Sequence, residues 1–172
     1  SHRRVRVHVQ SLVSGSGSTR SAYSARSSLQ MSDPGRVGGA VPRASFSAPP
    51  DAQGHPGVFT PEDAFVAAVN TCIMMMFIWA VERYKLDLIS YECRAEGTKL
   101  IELNRTEIFT DVVLRPHIRI CAGDEKPDVV RARVRKALQS AQKYSLVANS
   151  VKSAIHIEPE VEIIQEQVLF PG

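Results

Sequence analysis

Among the side chains able to act as nucleophiles, Cys72 has the most distinctive surroundings. It lies near the middle of residues 64–81, a run without a single charged residue. Its neighbours at helical spacing are Ala68, Val69, Met75 and Met76, with Phe65 and Trp79 one further turn away. A thiol on an apolar helix is ordinarily an inert small hydrophobe, because burial disfavours the thiolate. Nucleophilic chemistry at Cys72 therefore requires a cation delivered from elsewhere in the fold. Cys93 and Cys121 fall in strand-like segments, and Cys121 alternates with Arg115, His117 and Arg119, which predicts an outward-facing position. Three widely spaced cysteines form neither a disulfide framework nor a metal pattern, so a reducing, cytoplasmic setting with no metal and no cofactor is expected.

Two other features offer chemistry. Arg115, His117 and Arg119 form a basic row, and residues 1–50 hold seven arginines against the single acid Asp33, a balance of +6. Together they raise nucleic-acid binding. Acids outnumber bases through the rest of the chain (17 to 14) and no aromatic side chains interleave the row, so a solvated strand face with no nucleic-acid partner is expected. The run Met74-Met75-Met76 suits a pliable apolar pocket or, more simply, core filling.

The elements that must position these groups are legible from pattern. Thr60-Pro61-Glu62-Asp63 reads as a helix start: a capping hydroxyl, a proline at the first helical position, and two acids at the positive end of the dipole. That helix is expected over 61–84. It is long enough to approach a membrane span, yet acids precede it, Glu82 and Arg83 follow at once, and no second span exists. A helix apolar all round is expected instead to be buried on all sides, by a sheet, a partner subunit, or both.

Strands are expected over 86–121, as an antiparallel meander of three segments: 86–96 ending at Gly97, 99–106, and 108–121. A second helix is expected over 127–144, with Val130, Val134, Leu138 and Ala141 on one stripe, and a last strand over 154–164. Residues 1–48 read as a basic, β-rich head of the same domain, with 49–172 as the core. In the head, Val5, Val7 and Val9 alternate with Arg4, Arg6 and His8 in a first strand over 3–10, a turn covers 14–18, and weaker strands follow at 19–31 and 44–48. Residues 11–28 also have the Ser- and Arg-rich, acid-poor composition of a targeting segment, but the strand alternation favours the β-rich head.

The stretch from Phe59-Thr60-Pro61-Glu62-Asp63 through Val69-Asn70-Thr71-Cys72 resembles the signature of the OsmC/Ohr family, whose Pro-Glu helix start leads through small apolar residues to a peroxidatic cysteine. Lys143-Tyr144-Ser145-Leu146-Val147-Ala148-Asn149-Ser150 resembles the family's second motif, and Pro49-Pro50 with Gly54 sits where such proteins carry a Pro-rich lead-in. The resemblance spans roughly residues 49–165. It implies an α+β, two-layer fold with antiparallel sheets wrapped around a long central helix, an intertwined homodimer, and active sites at the subunit interface. It also implies reduction of organic hydroperoxides, with an external thiol as reductant. Cys72 takes the peroxidatic place, Glu62 the place that orients an activating arginine, and Arg20 the best positional match for that arginine, with Arg26 and Arg36 as alternatives.

Glu62 and Cys72 are ten residues apart, about 15 Å along a helix, so they can meet only across an antiparallel partner helix. One departure is chemical. Ser145 stands where the family has its resolving cysteine, on the expected buried stripe of the second helix, and a serine forms no disulfide. Cys93 and Cys121 are the available substitutes. The expectation is therefore a one-cysteine enzyme, against the alternative of a redox-inactive dimer that binds a hydrophobic small molecule at the subunit interface.

Overall fold

The computed structural model describes residues 2–7, 13–14, 46–48, 53 and 58–165. The long helix forms where its capping signals place it: α1 spans Pro61–Arg83. The Thr60 hydroxyl accepts from the Asp63 amide at 3.1 Å, and the Asp63 carboxylate accepts from the Thr60 amide at 2.8 Å. This reciprocal box satisfies two amides that the first turn cannot pair internally. At the other end Tyr84 caps α1, and Lys85 at φ 51 turns the chain into the sheet.

Two strands of 15 residues dominate that sheet, β3 (Asp87–Ile101) and β4 (Glu107–Cys121), antiparallel from Asp87 opposite Cys121 to Ile101 opposite Glu107. The head contributes β1 (His2–Val7) and β2 (Val13–Ser14), both antiparallel to β3. Beyond β4 come α2 (Pro127–Tyr144), the short α3 (Leu146–Ser150), β5 (Ala154–Ile157) and β6 (Glu160–Ile164). Both last strands run parallel to β4, because the chain crosses back over the sheet through α2 before rejoining it. The result is α+β, with α1 and α2 packed together over the sheet.

Four expectations about strands change. The meander of three is one long hairpin, because Gly97 sits inside β3 rather than ending a strand. A Cβ there would lie 2.8 Å from both the Phe109 ring and a Val66 methyl, so glycine is what lets α1 settle onto the ribbon. The strand expected over 154–164 is broken at Glu158-Pro159, since proline cannot donate to a ladder; the Glu158 amide bonds Leu114 O at 2.8 Å instead. Pro116 of β4 sits where its neighbour changes from β5 to β6, a seam in the ladder that tolerates a missing N–H. In the head, Val13–Ser14 pairs with β3 where a turn was expected to begin at Ser14. Phe46 makes a single bridge to Phe59 within the strand expected at 44–48, and the strand expected at 19–31 lies outside the described residues.

The core forms between α1, α2 and the inner face of the ribbon. Val66, Val69, Ile73, Met74 and Phe77 of α1 meet Tyr91, Val112, Leu114, Ile118 and Ile120, with Val130 and Val134 of α2 closing the side. Each fully buried large side chain contributes about 1.5–3 kcal/mol. Although α1 is long and apolar enough to cross a membrane, half of its most apolar window is buried here, and it is the core helix of the fold.

The outer face of the sheet is charged and internally paired. Arg115 bonds Glu96 at 3.0 Å and Glu158 at 2.9 Å, Arg119 bonds Glu162 at 3.0 Å, and His156 meets Asp111 at 3.1 Å. The basic row of β4 is thus answered by acids of β3, β6 and the link between β5 and β6.

Candidate functional site

The burial of α1 is one-sided. Ala68, Cys72, Met75 and Trp79 form a stripe at i, i+4, i+7 and i+11 spacing that the sheet and α2 leave largely open, with Phe65 and Met76 half covered at its margin. Met75 and Trp79 are each 49% exposed, and Tyr144, packed edge-on against Trp79 with ring centroids 6.4 Å apart, and Leu146 extend the apolar patch. Of the ways expected to bury this helix, the sheet and α2 cover one side, and this stripe is the side left for a partner subunit. Cys72 lies at the centre of the stripe, partly exposed.

Glu62 occupies the first turn of the same helix, about 15 Å from Cys72 along its axis, so one protomer does not bring them together. What the structure does bring to Glu62 is a lysine. Lys99 of β3 is 8% exposed and lies with its ammonium 3.8 Å from Glu62 Oε1 and in closer contact with Glu107. The other carboxylate oxygen, Glu62 Oε2, is buried and accepts no hydrogen bond from the described residues. The rings of Phe65 and Phe109 stack beside this cluster at 4.6 Å. Sequence reasoning missed Lys99 and Glu107: a lysine reads as solvent-facing, and only the inward alternation of Ala95, Gly97 and Lys99 could have flagged it. Arg20, Arg26 and Arg36 lie outside the described residues.

Ser145 is fully buried, but just past α2 rather than on its stripe. Its hydroxyl accepts from the Ala148 amide at 3.2 Å and so caps α3. Contacts of Tyr84 with Ser140 (2.9 Å) and of Trp79 with Tyr144 run α1 and α2 antiparallel, which carries Ser145 toward the middle of α1. The remaining thiols are elsewhere. Cys121 closes β4 opposite Asp87, level with the end of α1 and about 18 Å along that axis from Cys72.

Cys93 is 2% exposed. Burial pushes its thiol from 9.0 up to about 11, with the Tyr91 hydroxyl and the Arg115 backbone pulling partly the other way. The thiol is therefore inert at neutral pH. Because the folded state holds this proton more tightly than the unfolded chain, the associated stability is intact below about pH 9 and is lost as pH rises toward 11, at most about 3 kcal/mol. Urea unfolding across this range is expected to show the loss, and Cys93→Ala to reduce it. Burial also raises the Tyr91 hydroxyl, a second contribution of the same sign.

Among the described residues no group of three His, Cys, Asp or Glu side chains is placed to hold a metal ion.

The fold and this helix-borne cysteine define a recognisable class. A family model for OsmC-like proteins matches residues 54–160, more than half of the chain, and the chain belongs to that family. Among solved structures, an OsmC-like protein of unknown function from Vibrio cholerae is 28% identical, with TM-score 0.55 over 62% of this chain and 68% of that one. An OsmC-like protein from Mycoplasma pneumoniae shares the fold along almost the whole chain, at 10% identity and TM-score 0.55 over 95% and 97% of the two chains. A putative organic hydroperoxide resistance protein from Vibrio cholerae, with captopril bound in one of its active sites, is 18% identical, with TM-score 0.51 over 67% and 73%. No curated protein matches the sequence.

Proposed function

We propose that this protein reduces organic hydroperoxides as a homodimer, with Cys72 as nucleophile and an external thiol as reductant. The observation that carries the reading is the position of Cys72, partly exposed at the centre of an apolar helix face that the described residues leave largely open. A second copy laid antiparallel on that stripe covers it and brings Glu62 of one protomer toward Cys72 of the other. The buried, unfilled Glu62 Oε2 suits a guanidinium from the head, best matched by Arg20 with Arg26 and Arg36 as alternatives, and that guanidinium holds Cys72 as thiolate. Proteins of the same fold include organic hydroperoxide resistance proteins.

In the reaction the thiolate attacks one peroxide oxygen and the O–O bond breaks. The sulfur becomes a sulfenic acid, and the alkoxide leaves and takes up a proton as the alcohol. One external thiol then condenses with the sulfenic acid, releasing water and forming a mixed disulfide. A second thiol attacks that disulfide, restores Cys72 and departs as the oxidised reductant. The three free thiols suit a reducing compartment such as the cytoplasm.

Sulfenic acid formation after mixing with cumene hydroperoxide tests the reading. A rate at Cys72 at least about a hundredfold above that of free cysteine is expected, lost entirely in Cys72→Ser. A rate no faster than free cysteine sinks it. A second reading, a redox-inactive dimer that binds a hydrophobic small molecule at the interface, is favoured by Ser145, whose hydroxyl serves as a helix cap; it predicts ligand binding that survives Cys72→Ser.

A further inference from the structure

We propose that Lys99 is a positioning residue of the peroxide reaction: it fixes the Glu62 carboxylate so that Oε2 is presented to the guanidinium that activates Cys72. The inference rests on the peroxidase reading and assigns a role to a residue outside the motif that suggests it.

Three observations carry it. First, Lys99 is built inward. The β3–β4 register shifts between Thr98 and Lys99, and the Thr110 hydroxyl bonds Thr98 O at 3.3 Å across the irregularity. The extra residue is Thr110 of β4, so β3 keeps its alternation: Lys99 follows Tyr91, Cys93, Ala95 and Gly97 on the inward face, which sets its ammonium beneath the first turn of α1. Second, stability does not explain the residue. Lysine is almost never this buried unless paired, and desolvating an ammonium offsets most of what its ion pairs return, so an apolar side chain of similar length would serve the core as well. Third, the cluster is electrically incomplete. Glu62 and Glu107 surround one ammonium, and Glu62 Oε2 is buried without a donor. With Oε1 on the side of Lys99, Oε2 remains the acceptor for one further cation.

The test uses the full chain and four variants: Lys99→Met, Lys99→Arg, Glu62→Gln, and the double variant Lys99→Met with Glu62→Gln. Two readouts follow Cys72: its oxidation rate with cumene hydroperoxide, and the pH profile of its alkylation by iodoacetamide. Lys99→Met is expected to slow oxidation about 10–100-fold, the scale of a misplaced reacting group, and to move the alkylation profile to higher pH. Lys99→Arg is expected to restore most of the rate. The double variant should be no slower than Glu62→Gln alone, since the lysine acts through that carboxylate.

Wild-type rate and profile in Lys99→Met overturn the inference and leave the peroxidase reading standing, as does an equal further slowing in the double variant. An unmodified protein no faster than free cysteine overturns both. If Lys99→Met does not fold, Lys99→Gln keeps a polar side chain of similar length without the charge and is expected to slow oxidation in the same direction. Unchanged oxidation in that variant then overturns the inference.

Discussion

Trp79→Glu is expected to convert the protein to a folded monomer that no longer reacts rapidly with hydroperoxide. Trp79 sits half-exposed on the uncovered stripe of α1, where a twofold dimer would bury it twice. A buried aromatic anchor lost from each copy, at about 2–4 kcal/mol apiece, weakens association by roughly three to six decades. The monomer itself is spared. Arg83 lies over the Trp79 ring at 5.9 Å, one turn along α1, and welcomes an acid at that spacing. Sedimentation at micromolar concentration, circular dichroism and the oxidation rate of Cys72 check the three parts together. A dimer that survives the substitution places the subunit contact elsewhere, while a monomer with undiminished reactivity shows that the activating cation comes from the same chain.

Ser145→Cys is expected to change the fate of oxidised Cys72. On the proposed mechanism, excess peroxide would drive a sulfenic acid without an internal partner on to the sulfinic acid. With a thiol at position 145, delivered by the antiparallel course of α2, the sulfenic acid is expected to close to an intramolecular disulfide, seen by intact mass as the loss of two hydrogens without added oxygen. The exchange has a structural cost, because the Ser145 hydroxyl caps α3 and sulfur accepts hydrogen bonds poorly; about 1 kcal/mol of stability should go with it. Sulfinic acid in the variant at the wild-type level means that position 145 does not reach the sulfenic acid.

The local signals in the sequence were read most faithfully. Thr60 through Asp63 announce the helix start because capping chemistry is contained within four residues, and α2 is legible because its stripe repeats at 3.6. Gly97 was misread because a glycine between two apolar runs looks the same whether it ends a strand or admits a helix; Val66 and Phe109, which decide the matter, are far away in sequence. Lys99 escaped for a related reason. Its place on the inward alternation of β3 is periodic, but what makes an ammonium tolerable there, the carboxylates of Glu62 and Glu107, comes from distant segments and leaves no local trace. The evenly apolar composition of α1 promised burial all round, but composition does not say which face a single chain can reach. Ser145 was placed within a residue, and its capping role became visible only when α3 was seen to begin there.

The ion-paired outer face of the sheet has a consequence for assembly. With Arg115, Arg119 and His156 already engaged by acids of neighbouring strands or of the link between them, that surface holds its water and offers nothing sticky to another copy. The chain is in effect a slab, dry on the side of α1 and wet on the other. In the proposed dimer, two such slabs closing dry side to dry side would leave wet surfaces outward, so association would end at the pair and not stack onward into fibres.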